Sequence, residues 1–185
     1  MIRQFALLAL LACVSAAGLA QESEDRDKNL DVRSPMGDLH VGKDADARKA
    51  GLPLYPGARP EQNEHNDPLN FGLATESFGL KLVVAKYESD DSPDKVLAFY
   101  RGKLKRYGKV LECHSANDNA EINHDDKDHG SQPLKCDGDD SGPVRQLKVG
   151  TENDAHIVSV EPAQTGNGTT FTLVYLHKRE KEADI

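Results

Sequence analysis

The sequence predicts an α+β domain, an antiparallel sheet with one main helix packed on one face. Three observations lead there. Residues 92–108 carry every local signal of a single amphipathic helix. Several segments from residue 80 onward are apolar at the two-residue period of a strand. Glycine- and asparagine-bearing turns separate the last of these segments, as an antiparallel meander requires.

Taken in order, the chain opens with Arg3 and an uncharged apolar run over residues 5–17 (FALLALLACVSAA). Gly18 and Ala20 then place small residues third and first before Gln21, the pattern of a signal-peptidase site. Residues 1–20 are therefore expected to be a signal peptide, and the run is too short for a membrane span, which takes roughly 20 apolar residues. The expected location is the periplasm or the extracellular medium. A competing reading takes Leu10-Leu11-Ala12-Cys13 as a lipobox that would anchor the protein through Cys13. The short apolar stretch before Cys13 and the bulk of Leu11 weigh against it.

Residues 21–50 are dense in charge and poor in apolar residues, which suggests a flexible polar arm. Leu39 and Val41, two apart, allow one short strand over residues 36–41. A single domain is expected over residues 51–177, followed by a charged tail over 178–185. Tyr55-Pro56-Gly57-Ala58 sets Pro and Gly where a type II turn needs them, and residues 59–70 have loop composition.

Leu80 to Tyr87 reads as a strand covered at least partly on both faces. Ser92 then suits a helix N-cap, Pro93 the first helical position and Asp94 the positive helix terminus. Val96, Phe99, Tyr100, Leu104 and Tyr107 recur at three- and four-residue intervals and predict the buried stripe. Gly108 suits the helix stop. Further strands are expected over residues 110–113, 144–149, 156–160 and 171–176. Phe171, Leu173 and Tyr175 share one face and are expected to meet the helix.

The chain holds 23 Lys and Arg against 31 Asp and Glu, a net charge of −8. Loss of Arg3 with the leader makes it one unit more negative. Such a balance excludes nucleic acid as the expected partner, because phosphate neutralisation needs surplus cations. Cys113 and Cys136 are the even pair left after cleavage, and in an exported chain they are expected to form a disulfide. Their spacing is unlike a redox-active pair.

Four candidate sites emerge from the residues. Gly138-Asp139-Asp140-Ser141-Gly142-Pro143 is near the nucleophile sequence of trypsin-like proteases but departs in spacing and lacks a matching histidine motif, so a surface turn is expected. As a calcium loop it would offer Lys148 where a bidentate Glu is needed. Between the cysteines, His114, His124 and His129 lie among Asp118, Glu121, Asp125, Asp126 and Asp128, a donor set suited to Zn or Cu. Finally, Lys95, Arg101, Lys103, Lys105, Arg106 and Lys109 form a basic helix run, read as a solvated exterior before a docking face.

With Gly51-Leu52-Pro53 before the Tyr55–Ala58 turn and SPDKVLAFYRGKLKRYG over residues 92–108, the chain resembles a group of uncharacterised exported bacterial proteins. The resemblance covers residues 35–177. It implies a bacterial envelope or extracellular setting and brings no activity or catalytic residue. The leading expectation is an exported, non-enzymatic binding module. A metal-binding protein using loop 114–135 is the alternative, and an unrecognised hydrolase comes after it.

Overall fold

The computed structural model describes residues 29–61, 68–116, 132–136, 140–164 and 167–180. The expected signal peptide, Cys13 and the first part of the expected polar arm lie outside them. Among the described residues nine strands and one α-helix make an open, antiparallel, sheet-dominated α+β fold. The strands are β1 (Asn29–Ser34), β2 (Gly37–Gly42), β3 (Arg59–Pro60), β4 (Leu69–Ala74) and β5 (Phe78–Ser89), then β6 (Leu111–Ser115), β7 (Val144–Thr151), β8 (Asp154–Pro162) and β9 (Thr169–Glu180). Their order in the sheet is β1-β2-β4-β5-β9-β8-β7-β6, with β3 pairing β5. Helix α1 (Pro93–Leu104) follows β5 and ends in a 3₁₀ turn, Lys105–Tyr107. Among the described residues no helix is long and apolar enough to cross a membrane.

Strand side chains alternate between faces, so the register sorts residues into a front and a back. Val83 faces Tyr175, Ala85 faces Leu173 and Tyr87 faces Phe171 across β5 and β9. These form the front, where α1 packs through Val96, Leu97, Tyr100 and Leu104, all fully buried. The Tyr100 and Phe171 rings lie 5.6 Å apart, and Phe171 stacks on Tyr87 at 5.5 Å. The expected meeting of Phe171 and Leu173 with the helix is thus present, with Tyr175 packed at its margin.

The helix is rolled relative to the expected stripe. Leu97 points inward, while Phe99 is only half-buried and sits edge-on to Tyr55 at 5.2 Å. Successive residues turn about 100°, so a face centred between Val96 and Leu97 leaves Phe99 on its border. Tyr107 leaves the stripe because the chain tightens into the 3₁₀ turn before reaching it. Ser92 occupies the N-cap without a side-chain bond, and its carbonyl accepts the N–H of Val96 at 3.3 Å. Asp94 pairs with Arg145 at 2.5 Å.

The polar segment before residue 51 departs most from expectation. From Asn29 it is an edge hairpin, with β2 beginning one residue later than the short strand foreseen there. Ala47 and Ala50 belong to the core, and the Ala47 N–H donates to the Tyr87 hydroxyl at 2.9 Å. Alanines carry little apolar weight in a composition, so a charged segment conceals them. Leu69, Phe71 and Leu73 alternate within the segment foreseen as loop and beyond it, and they form β4. At the other end β9 continues through Glu180, into what reads as a charged tail. The Tyr55–Ala58 turn forms as foreseen, with Ala58 N–H donating to the Tyr55 carbonyl at 3.0 Å and Gly57 at φ 75°.

Candidate functional site

The cysteine loop was the first place to expect chemistry. Cys113 and Cys136 are bonded, with S–S 2.06 Å and Cα–Cα 5.3 Å. Both sulfurs are therefore spent, and although Asp140 lies close by, this trio offers a metal no thiolate. His114 stands on β6, about half exposed; its backbone N–H donates to Asp140 Oδ1 at 2.6 Å, and its Nδ1 lies 3.9 Å from the same oxygen. His124 and His129, with Asp118, Glu121, Asp125, Asp126 and Asp128, lie outside the described residues.

The basic helix run is largely consumed internally. Lys95 pairs with Asp91 at 2.6 Å, Arg101 with Glu112 at 2.5 Å, and Arg106 donates to the Gly51 carbonyl at 2.6 Å. Lys103 lies over the Phe99 ring at 5.1 Å. Glu112 also takes Arg145 at 2.8 Å, and these guanidinium bonds hold its carboxyl below the usual carboxylate range. Arg101 therefore braces the helix against β6, and Arg106 ties the helix end to the chain at Gly51.

The site that the structure offers lies elsewhere on the front. Helix α1 covers only part of that face. Beyond it, where β1, β2, β4, the start of β5 and the end of β9 run side by side, a trough of about 490 Å³ remains. Its floor is nearly bare: Gly72, Ala74 and Gly79 stand at front positions, with Ala74 opposite Gly79 and Gly72 opposite Lys81. A Cβ on Gly79 would meet Arg179 side-chain atoms at 3.6 Å or more, and one on Gly72 would meet His40 Cβ at 3.6 Å. Neither glycine has a positive φ. These glycines are therefore required by neither backbone conformation nor crowding, and their effect is to leave space.

One bank is basic. Lys81 pairs in register with His177, and Gly79 with Arg179, which lines Lys81, His177 and Arg179 along β5 and β9. Neither Lys81 nor Arg179 makes an ion pair among the described residues. The Lys81 ammonium stands 5.4 Å from the Tyr175 ring centre. His177 Nδ1 is 3.7 Å from Asp154. A ladder of rings connects this bank to the end of the helix: Tyr107 on His156 at 3.9 Å, His156 to Tyr175 at 4.7 Å, Tyr175 on His177 at 6.4 Å. Burial pushes the His156 imidazole below its ordinary value; Asp154 opposes this and Arg106 adds to it.

The other bank is tied into a polar chain. His40 Nδ1 lies 2.8 Å from Asp31, and Asn70 Nδ2 bridges His40 Nε2 at 3.1 Å and Asp44 at 3.0 Å. Both ring nitrogens of His40 are thus engaged within this bank. Lys49 and Asn70 hold the Asp44 carboxyl down at about 2. Among the described residues the trough is lined by no serine, threonine or cysteine. Such a surface orients a ligand through fixed polar groups.

Comparison with protein-family models, curated proteins and solved structures finds no match to this chain. The site therefore rests on its own geometry. None of its residues stood out in the sequence, yet a trace was present. Gly72, Ala74 and Gly79 are small at front positions, and Lys81 and Arg179, with the imidazole of His177, also stand at front positions. Only the β5–β9 register brings them together.

Proposed function

We propose that this protein is an exported, non-enzymatic binding module that holds a small ligand bearing a carboxylate or phosphate in the front trough. One observation carries the reading: Lys81 and Arg179 flank a side-chain-poor floor without an internal acidic partner among the described residues. Cations left unpaired beside an open cleft are matched to an anion from outside, and a guanidinium can grip two oxygens of that anion at once. His177 adds a third donor on the same bank, while on the opposite bank Asn70 and His40 are bonded to each other and to Asp44 and Asp31, so the anion is gripped from the basic side. The setting is supported by the disulfide, which persists in oxidising compartments, by the leader read from residues 1–20, and by the resemblance to exported bacterial proteins.

A thermal-shift panel of small carboxylates and phosphates, inorganic phosphate included, tests it. A ligand that binds only the folded state raises the melting midpoint with concentration. At least one anion is expected to do so for the wild type, with the shift lost in Lys81→Ala/Arg179→Ala and weakened by salt. A panel without effect on the wild type, or a shift untouched by the double substitution, would contradict the proposal.

A further inference from the structure

The two edges of the sheet are finished differently. At β6 the outward N–H of His114 is capped by Asp140 Oδ1 at 2.6 Å, and the strand is bolted to Cys136 by the disulfide. At β1 no described residue covers the edge, and Leu30 and Val32 are 55% and 45% exposed. An uncovered edge strand is a template for another strand.

Hydrogen-bond alternation fixes which groups that edge presents. Thr75 N–H donates to the Phe78 carbonyl at 2.7 Å, so Thr75–Phe78 is a bonded pair, and Leu73 and Phe71 continue that series towards β5. The intervening Ala74, Gly72 and Asn70 then bond towards β2. One strand further out, Leu39 and Val41 bond towards β1, pairing with Val32 and Leu30. This leaves Asn29, Asp31 and Arg33 with backbone N–H and C=O directed outwards.

We infer that this edge binds a second copy of the chain, β1 against β1 in antiparallel register about a two-fold axis at Val32. In that register Asp31 of each copy stands opposite Arg33 of the other, in the bonded pairs that the outward groups require. Val32 faces Val32, and Leu30 faces Ser34, on the back of the sheet. Sliding by two residues either way keeps the bonding parity but sets Asp31 against Asp31 or Arg33 against Arg33. Electrostatics thus selects one register, and the contact is self-complementary, as a two-fold interface must be. Arg33 makes no ion pair among the described residues, and Asp31 keeps an oxygen for it beside the bond from His40. Asp31 and Arg33 also line the trough, so the contact borders it, but the inference does not depend on a ligand there.

Sedimentation velocity on the purified protein, from micromolar to sub-millimolar concentration, tests it. The wild type is expected to form dimers in reversible equilibrium with monomer. Asp31→Arg and Arg33→Asp each set like charges across the axis twice, and each is expected to weaken dimerisation roughly tenfold or more. An equimolar mixture of the two variants restores opposite charges and is expected to recover the dimer. That recovery also shows that each variant is folded. A wild type monomeric throughout, reversals without effect, or a mixture of folded variants that fails to associate would each overturn the inference.

Discussion

Strands β5 and β9 pass through two environments on the same face of the sheet. Towards the helix their front positions are Val83, Ala85, Tyr87, Phe171 and Leu173, all buried. A few residues along, the same register reads Gly79, Lys81, His177 and Arg179, with no helix above them. Backbone pairing is continuous across the change, so hydrogen bonding does not distinguish the two halves; side-chain volume and charge do. The covered half supplies the apolar burial that offsets chain entropy. The open half spends its positions on glycine and cations, which contribute little to stability. The ring ladder from Tyr107 to His177 spans the boundary.

The largest expected effect comes from the covered half. Tyr100→Ala removes a fully buried ring and is expected to cost about 3–5 kcal/mol. Lys81→Ala, on the same face, should stay within about 0.5 kcal/mol of wild type. Urea unfolding of both variants measures the difference, and similar midpoints would erase the distinction between the halves.

A smaller effect is expected at the boundary. His156 has its folded pKa depressed by burial, so the unfolded chain binds the proton more readily. Stability contributed by the neutral ring is complete above the unfolded histidine value of about 6.5 and declines as pH falls below it. His156→Phe keeps a flat ring between Tyr107 and Tyr175 without the titration. Melting midpoints measured as pH is lowered from neutral towards pH 5 should fall less steeply in the variant than in the wild type. Parallel curves would show that this ring is not what couples the fold to pH there.

How much of this was legible follows from the range of the interactions. Helix α1 and strands β7 to β9 are announced by neighbouring residues: Pro93 at the helix start, apolar spacing along it, turns between the strands. Cys113 and Cys136 are likewise a matter of count and compartment. The short strand over residues 36–41 foreshadowed β2, but its partner β1 was hidden because one face of β1 is charged by Asp31 and Arg33. β4 was hidden by the Asn- and Pro-bearing stretch before it. The trough was hidden more deeply, since Lys81 meets His177 only through a pairing across 96 residues of chain. The roll of α1, which exchanged Leu97 for Phe99 in the core, likewise depends on the sheet beneath it. Local periodicity carries none of these.

The central claim is that Gly72 and Gly79 are kept for the space they leave. The measurement that tests it most directly is Gly72→Ala/Gly79→Ala, scored for both stability and binding of whichever anion the thermal-shift panel identifies. The added Cβ atoms meet their neighbours at ordinary contact distance, so stability should hold or rise by about 0.5–1 kcal/mol per site. Binding should weaken about tenfold, because methyl groups now occupy the floor. Unchanged affinity in the stable double variant would contradict the claim, and so would a marked loss of stability, which would make the two glycines part of the fold's own packing.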